Sequence, residues 1–171
     1  MTNILIIKHG SLGDLIQANG AIEDIKKSNS KSHIVLLTSS AYYALMYKCP
    51  YVDEVLVDKR LPRWNLFYLY NLKKKLLSYE FTHIFDLQNS NRTKFYSKFI
   101  LNKSKWSSTI TTLEHGQNKK NFDEEPVLKR MEIQLKKSGI KTVNIKKSNL
   151  NWAVVNIRNI TKNYFDGKYI L

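Results

Sequence analysis

The sequence predicts an α/β protein with a mainly parallel sheet and helices on both faces of that sheet. Two observations support this prediction. Short apolar runs alternate with longer segments whose apolar residues have helical spacing, along most of the 171 residues. The chain also opens with an apolar run, then a turn with two glycines, then a helical segment, and this order usually begins a parallel α/β domain. Right-handed connections between the strands are the default.

The predicted elements follow from these patterns in chain order. Strands are expected at residues 3–8, 33–38, 54–57 and 82–86, with a further short strand at 107–111. Helices are expected at residues 11–27, 63–78, 94–101, 126–138 and 155–164, with a short helix from Ser39 or Ser40 through Tyr47. In the helix at 63–78, the residues expected to face the core are Leu66, Leu69, Leu72, Leu76 and Leu77.

The last residues resemble the beginning of another buried strand. Gly167 is followed by a short run that ends with Ile170 and Leu171, which a lone exposed strand would leave in water. We therefore predict one domain at residues 1–165 and the start of a missing second domain at residues 166–171. The alternative is an added edge strand of the first sheet.

The chain is strongly basic, and the charge is unevenly distributed. There are 28 Lys and Arg residues against 14 Asp and Glu residues, so the formal net charge is +14 at pH 7. Residues 59–79 and 87–113 contain no acidic residue. This pattern indicates an anionic partner, which is nucleic acid, an acidic membrane surface or a phosphorylated substrate. The alternative is a generally Lys-rich proteome. The lone Cys49 favours a reducing compartment such as the cytoplasm.

Polar residues follow the first predicted strand, at the edge of the sheet where open parallel sheets bind ligands. Gly10 and Gly13 are expected to let the backbone bend tightly, and Asp14 stands where the helix begins. Ser11 and Asp14 have the spacing of a capping box, in which the Asp14 carboxylate accepts a hydrogen bond from the Ser11 amide. Local sequence favours this capping role. An ionised carboxylate can also accept a proton from a hydroxyl group late in a reaction.

Further polar residues follow the third and fourth strands, at the same edge. Lys59, Arg60 and Arg63 can hold an anionic substrate, or they are simply solvated. Gln88 and Asn89 can donate and accept hydrogen bonds, which suits sugar hydroxyls. Arg92 can bind a carboxylate or phosphate with two hydrogen bonds, or this loop only caps the next helix. The four histidines and Cys49 lack metal-ligand spacing, so we predict no metal and no other cofactor.

Two of these segments together resemble a known family. The stretch from Ile4 to Asp14 resembles the opening of the heptosyltransferases of glycosyltransferase family 9, which have a strand, a Lys and a small-residue turn that ends in Gly-Asp. The stretch from Phe81 to Asn89, with its Asp-x-Gln, resembles a second segment of that family, and the stretch from Tyr51 to Val55 resembles its third-strand region. The resemblance covers about residues 1–100.

The resemblance implies an inverting GT-B enzyme, built from two Rossmann-like domains with a cleft between them. Such an enzyme transfers heptose from ADP-heptose to an anionic glycolipid of the lipopolysaccharide core. The amino-terminal domain binds the acceptor, and the missing carboxy-terminal domain binds the nucleotide-sugar donor. By motif, Asp14 corresponds to the proposed general base, and Lys59, Arg60 and Arg63 correspond to the acceptor-binding segment. Gln88 corresponds to a glutamine beside the cleft.

The implied substrate site combines these positions, and one of them departs from the family. Its expected members are Gly10, Ser11, Gly13, Asp14, Lys59, Arg60, Arg63, Gln88, Asn89 and Arg92. Asn89 stands where the family usually has glycine. The isolated chain is expected to be inactive without its second domain. We expect it at the inner face of the cytoplasmic membrane, held peripherally on anionic lipid.

Two other functions are compatible with the sequence. A basic α/β domain that binds nucleic acid explains the charge and the interleaved aromatic residues, although the chain has no recognised nucleic-acid motif. A truncated, non-catalytic paralogue would act as a binding module or as half of a split enzyme. The family resemblance favours the glycosyltransferase, with no nucleic-acid partner.

Overall fold

The computed structural model describes residues 2–147 and 149–153, which form a parallel five-stranded sheet covered by helices on both faces. The strands are β1 (Asn3–Ile7), β2 (His33–Ser39), β3 (Glu54–Asp58), β4 (His83–Asp86) and β5 (Lys105–Ser107). Their order across the sheet is β3-β2-β1-β4-β5, and all four neighbouring pairs are parallel. The predicted fold class, a Rossmann-like sheet with helices on both faces, is confirmed.

Seven helices connect or flank the strands in the described residues. They are α1 (Leu12–Ser28), α2 (Tyr43–Met46), α3 (Leu66–Leu77), α4 (Asn91–Phe99), α5 (Thr109–Thr112), α6 (Lys119–Glu124) and α7 (Val127–Lys137). Short 3-10 turns lie at Ser40–Tyr42 and Asn151–Ala153. Across 2–147 and 149–153 we find no helix that combines the length and apolar character needed to cross a bilayer.

The core has two layers because successive side chains of a strand point to opposite faces of the sheet. Ile4 and Ile6 pack on one face with α1, α2 and α7. Leu5 and Ile7 pack on the other face with α3 and α4. Burial on both faces explains why β1 is a continuous apolar run rather than an alternating one.

Side-chain caps account for most differences between the predicted and observed helix starts. Asn65 Oδ1 accepts the Tyr68 amide at 2.9 Å, so α3 begins at Leu66 rather than at residue 63. Ser90 Oγ accepts the Thr93 amide at 3.2 Å, so α4 begins at Asn91 rather than at residue 94.

The predicted strand at residues 107–111 is wrong for most of its length. Strand β5 ends at Ser107, and Thr109–Thr112 forms a helical turn instead. The cause is a cap, because Ser108 Oγ accepts the Thr111 amide at 3.4 Å. Helix α6 was not predicted. The predicted helix at 155–164 and the predicted second domain at 166–171 lie outside the described residues.

A buried carboxylate of α1 holds the segment that follows α7. Asp24 is 1% exposed and accepts the backbone amides of Val143, Asn144 and Ile145 at 2.9–3.1 Å. Gly20, one turn earlier on α1, packs against the backbone of Asn144 so closely that a Cβ there would overlap its carbonyl oxygen. The distant segment at 143–145 is therefore fixed to α1, the same helix that begins at the ligand edge of the sheet.

Candidate functional site

The sheet changes winding direction between β1 and β4, and open α/β sheets bind ligands beyond the carboxyl ends of the strands at such a point. β2 and β3 lie on one side of β1, whereas β4 and β5 lie on the other. A cavity of about 180 Å³ opens at this place, here called the β1/β4 cavity. The polar side chains that line it include Lys8, Asp14, Gln88, Asn89, Arg130 and Gln134. Topology thus brings together residues that are far apart in the chain.

Asp14 lies in the first turn of α1 and is half-buried. Its Oδ2 accepts the Ser11 backbone amide at 3.0 Å, so the capping contact predicted from the sequence is present. The same carboxylate lines the β1/β4 cavity. Since a carboxylate has about four lone-pair sites, one capping bond leaves capacity for a ligand hydroxyl. Capping and proton acceptance are therefore compatible, and the catalytic role of Asp14 stays a prediction.

Lys8 is a buried cation on the floor of the cavity. It is 5% exposed, and its Nζ donates to the Leu87 carbonyl at 3.1 Å. Burial lowers the pKa of Lys8, while the carboxylates of Asp14 and Asp86 oppose that shift. Lys8 therefore links the ends of β1 and β4, and it lines the same cavity as Asp14. The sequence did not single out Lys8, because it is one of 28 basic residues in the chain.

Arg130 was missed from the sequence and is the second cation of the cavity. It lies on α7, and its Nη1 contacts Asp123 Oδ1 at 3.1 Å. Its Nε is buried and has no hydrogen-bond partner within the described part of the chain. A buried donor without a partner costs free energy unless water or a ligand accepts its hydrogen bond. The spacing of Arg130 and Gln134, one helical turn apart on one face, was the available signal.

Gln88 and Asn89 hold the loops of the cavity in place. Gln88 Oε1 accepts the His9 amide at 3.0 Å, which joins the loop after β4 to the loop after β1. Asn89 Nδ2 donates to Gln134 Oε1 at 3.0 Å, and its Oδ1 accepts the Thr109 amide at 2.6 Å. Both ends of the Asn89 amide are thus engaged with protein, so this side chain positions the loop.

Of the two glycines predicted to permit a tight bend, only Gly10 has left-handed backbone. Its φ is +96°, and an added Cβ would overlap the ring of Tyr42. Gly13 lies inside α1, without a positive φ and with open space around it. The expectation that Gly13 is needed for the bend is therefore wrong, since the turn is complete before α1 begins.

A second cluster of polar residues forms around the buried Asp58, at the end of β3. Its members, called the Asp58 cluster, are His9, Asp58, Tyr68, Arg92 and Tyr96. Asp58 is fully buried, with His9 Nε2 at 2.9 Å, the Tyr96 hydroxyl at 2.7 Å and a further hydrogen bond from the Tyr68 hydroxyl. Burial alone would raise the pKa of Asp58, but these hydrogen bonds hold it well below its usual range. The cluster ties the loop after β1 to α3 and α4.

Arg92 belongs to the Asp58 cluster, and it does not line the β1/β4 cavity. Its Nη2 donates to the Leu61 carbonyl at 2.8 Å, and its Nε lies 3.4 Å from Asp58 Oδ2. The guanidinium also lies over the Tyr96 ring, 5.5 Å from its centroid. These contacts occupy Arg92 inside the protein, where it supports the loop after β3. That loop carries Lys59, Arg60 and Arg63, which are exposed.

Comparisons with known proteins give a consistent result. No family model matches the chain. A curated protein of Haemophilus influenzae described as "Putative glycosyltransferase" is 37% identical over 60 residues, which is 35% of this chain and 17% of that protein. A glycosyltransferase family 9 structure from Veillonella parvula has a TM-score of 0.62 and 17% identity, over 82% of this chain and 42% of that one. The chain has the fold of glycosyltransferase family 9.

Two heptosyltransferase structures from E. coli extend the family 9 comparison. ADP-heptose lps heptosyltransferase II matches with a TM-score of 0.63 and 16% identity, over 97% of this chain and 51% of that one. Heptosyltransferase WaaC, solved with ADP, matches with a TM-score of 0.59 and 11% identity, over 89% and 51%. The chain spans about half the length of these structures. The family 9 resemblance stated from the motifs is confirmed.

The departure of Asn89 from the family 9 pattern has a physical explanation. Asn89 has a φ of +51°, in the left-handed region. Glycine adopts this region freely, and asparagine is the side-chain-bearing residue that tolerates it well. The Asp86 carboxylate further fixes the loop by accepting the amides of Gln88 at 3.0 Å and Asn89 at 2.9 Å. Asn89 therefore occupies a backbone position that glycine would also suit.

Proposed function

We propose that the chain is the acceptor-side domain of an inverting GT-B glycosyltransferase that transfers heptose from ADP-heptose to an anionic glycolipid of the lipopolysaccharide-core type. The observation that carries this proposal is the position of Asp14 in the β1/β4 cavity, which Lys8 and Arg130 also line. The family 9 fold and the curated glycosyltransferase relative support the general class of reaction. A second domain would bind the donor, as WaaC, of which this chain spans about half, was solved with ADP.

In the proposed reaction, an acceptor hydroxyl oxygen attacks the anomeric carbon of the heptose from the face opposite ADP. The new carbon–oxygen bond forms as the bond to the ADP phosphate oxygen breaks, and ADP leaves with that electron pair. Asp14 takes the hydroxyl proton late in this step, when electron density has already left the attacking oxygen.

The cations that line the cavity and the exposed cations of the loop after β3 have separate proposed roles. Arg130, which lines the cavity, suits a phosphate or carboxylate of the acceptor. Gln88 and the backbone of Gly10, Ser11 and Gly13 shape the wall around the reacting hydroxyl. The exposed Lys59, Arg60 and Arg63 are proposed to attract the anionic glycolipid toward the cavity.

The test is a hybrid enzyme in which this chain is joined to the carboxy-terminal half of E. coli heptosyltransferase II. We expect ADP release from ADP-heptose that depends on the glycolipid acceptor. Asp14→Asn keeps an oxygen that can accept the Ser11 amide, so the cap survives while the base is lost. We expect kcat to fall by about 10²–10⁴-fold, with KM for ADP-heptose nearly unchanged.

Matched controls separate catalysis from folding. Glu125→Gln removes a carboxylate that pairs with Lys129 on the protein surface, away from the β1/β4 cavity, and it should leave kcat unchanged. A folded hybrid that releases no ADP would contradict the transfer reaction itself. An Asp14→Asn hybrid with undiminished kcat would leave Asp14 with only its capping role, which is worth ~1 kcal/mol of stability.

A further inference from the structure

Helix α3 and the loop before it expose large apolar side chains to solvent. The exposed fractions are 80% for Trp64, 79% for Phe67, 73% for Leu66 and 65% for Tyr70, and Leu77 is 46% exposed. The expectation that Leu66 and Leu77 face the core is therefore wrong. Single exposed apolar residues are normal, but several together usually mark an interaction surface.

The geometry of α3 makes these residues one surface. Leu69, Leu72 and Leu76 are the buried residues of this helix, and Tyr68 also packs against the core. At about 100° per residue, Leu66, Phe67, Tyr70 and Leu77 fall within a different sector of the same helix, about 100° wide. The helix thus has two apolar stripes, and packing against the sheet explains only one of them. We call the second stripe, with Trp64, the α3 outer face.

Six cations surround the α3 outer face without an acidic partner among the described residues. They are Lys59, Arg60, Arg63, Lys73, Lys74 and Lys75. On α7, by contrast, Lys129 pairs with Glu125 and Lys136 pairs with Glu132. The α3 surface therefore carries a net positive charge that an anionic partner would neutralise.

Tertiary structure also brings cations and apolar surface together at one groove. This groove, of about 370 Å³, lies between the end of β3 and α3. Phe67 lines it together with Lys59 from the loop and Lys75 from the far end of the helix. An aromatic ring flanked by two ammonium groups is suited to the boundary between acyl chains and anionic headgroups.

We propose that the α3 outer face docks the protein onto an anionic phospholipid bilayer, with Trp64, Leu66 and Phe67 inserted among the headgroups. Two observations favour a bilayer over other partners. A second copy of the chain, docked through the same face, would place its six cations against these six, and like charges repel. Single-stranded nucleic acid would stack on Trp64, Phe67 and Tyr70, but it would leave Leu66 and Leu77 in water. A bilayer accommodates aromatic, aliphatic and cationic side chains together.

The orientation that docking imposes follows from the topology. Helix α3 begins just after the carboxyl end of β3, which is the edge of the sheet where the β1/β4 cavity opens. Docking through the start of α3 therefore brings this edge to the membrane surface. The inference stands on exposed side chains and unpaired charges, and it does not depend on the proposed transfer reaction.

The test measures sedimentation of the full chain with lipid vesicles. Vesicles of phosphatidylcholine with about 30% phosphatidylglycerol should bind the protein at least tenfold more tightly than phosphatidylcholine alone, since each basic residue near an anionic surface contributes. The double variant Trp64→Ala/Phe67→Ala should lose about tenfold or more of this binding. The triple variant with Lys73, Lys74 and Lys75 changed to Gln should lose about tenfold or more. All these side chains are exposed, so far-UV circular dichroism should be unchanged.

Each variant has a matched control on another part of the surface. Tyr47→Ala removes an aromatic ring that is 71% exposed in the other helix layer, and it should bind vesicles normally. Changing Lys31, Lys48 and Lys141 to Gln removes the same charge from other exposed positions, and it should have a smaller effect. Trp64→Phe should still bind but should lose most of the blue shift in tryptophan emission that vesicles induce.

Three outcomes would overturn the proposal. The first is normal vesicle binding by Trp64→Ala/Phe67→Ala, or equal loss in the matched controls. The second is a wild-type dimer, detected by light scattering, that is absent in the same double variant. The third is RNA binding in a gel-shift assay that is lost in the double variant while vesicle binding is absent. None of these outcomes bears on ADP release by the hybrid enzyme, so the two proposals fail separately.

Discussion

Asp58 connects the candidate site to the rest of the protein at the scale of single residues. Its Oδ2 lies 2.9 Å from His9 Nε2. The His9 backbone amide, in turn, donates a hydrogen bond to Gln88 in the loop after β4. His9 is next to Gly10, where the turn toward Asp14 begins. The Asp58 cluster therefore fixes the backbone that carries Asp14, although Asp58 itself does not line the β1/β4 cavity.

Asp58→Asn should lower the free energy of unfolding by about 3 kcal/mol, because it removes one partner of a buried ionic network and leaves the others unmatched. Urea denaturation at pH 7 measures this change. Asp123→Asn is the control, since the ion pairs of Asp123 lie at the surface and should be worth about 1 kcal/mol or less. Equal losses of unfolding free energy in the two variants would show that the Asp58 network stabilises the protein no more than a surface ion pair does.

The difference in free energy of unfolding between wild type and Asp58→Asn should depend on pH, because the pKa of Asp58 is lowered. A carboxylate with a depressed pKa in the folded state contributes all its stability above its unfolded pKa, which is about 3.9. That contribution is lost as the pH falls through the lower folded-state pKa. The gap between wild type and Asp58→Asn should therefore be constant from pH 7 to about pH 5 and should shrink only below about pH 4.

At the scale of the element, helix α1 both positions a residue of the candidate site and holds a distant segment of the chain. Its first turn presents Asp14 to the cavity, and its middle holds the segment at 143–145 through Asp24 and Gly20. The two glycines of this helix have opposite surroundings. Gly13 has open space around it, whereas Gly20 meets the Asn144 backbone, with Ile145 Cα 2.8 Å from the place a Cβ would take.

Replacing each glycine of α1 with alanine should change stability in opposite directions. Gly13→Ala should raise the free energy of unfolding by about 0.5–1 kcal/mol, because alanine favours the helix and meets no neighbour. Gly20→Ala should lower it by about 1–3 kcal/mol, because the new methyl group displaces the 143–145 backbone. Thermal denaturation of the pair is the measurement. Stabilisation by both substitutions would contradict the close packing at Gly20.

The whole molecule carries far more positive than negative charge, and this affects its stability as well as its partners. A net charge of +14 opposes the compact state by self-repulsion. The repulsion acts between exposed groups, and salt therefore screens it, whereas the buried Asp58 network is screened much less.

Raising NaCl from about 20 mM to about 300 mM should increase the melting temperature by about 2–4 °C, equivalent to about 1 kcal/mol for a chain of this size. The triple variant of Lys73, Lys74 and Lys75 to Gln should show a smaller increase, because it begins with less repulsion. A melting temperature that falls with salt would show that attractive surface pairs outweigh the repulsion.

The elements could be predicted from the sequence because their causes are local. The apolar runs of β1 to β4 and the spacing of Leu69, Leu72 and Leu76 are visible without neighbours in space. The cap formed by Asp14 is also local, since its partner is three residues away. Helices α3 and α4 begin three residues away from their predicted starts, at positions set by the caps Asn65 and Ser90. Several polar residues near each start could have capped the helix, so the sequence alone did not identify the one that does.

The sequence by itself determined the fold class, the buried strands and the helix start that carries Asp14, because these depend on hydrophobicity and hydrogen bonding between near neighbours. Only the tertiary structure decided that Arg130 lines the same cavity as Asp14, that Arg92 is occupied by the Asp58 cluster, and that Leu66 is exposed. Those outcomes depend on which distant segments the sheet order brings together. β3 and β4 lie on opposite sides of β1, so the cations that follow β3 share the carboxyl edge of the sheet with the β1/β4 cavity but do not line it.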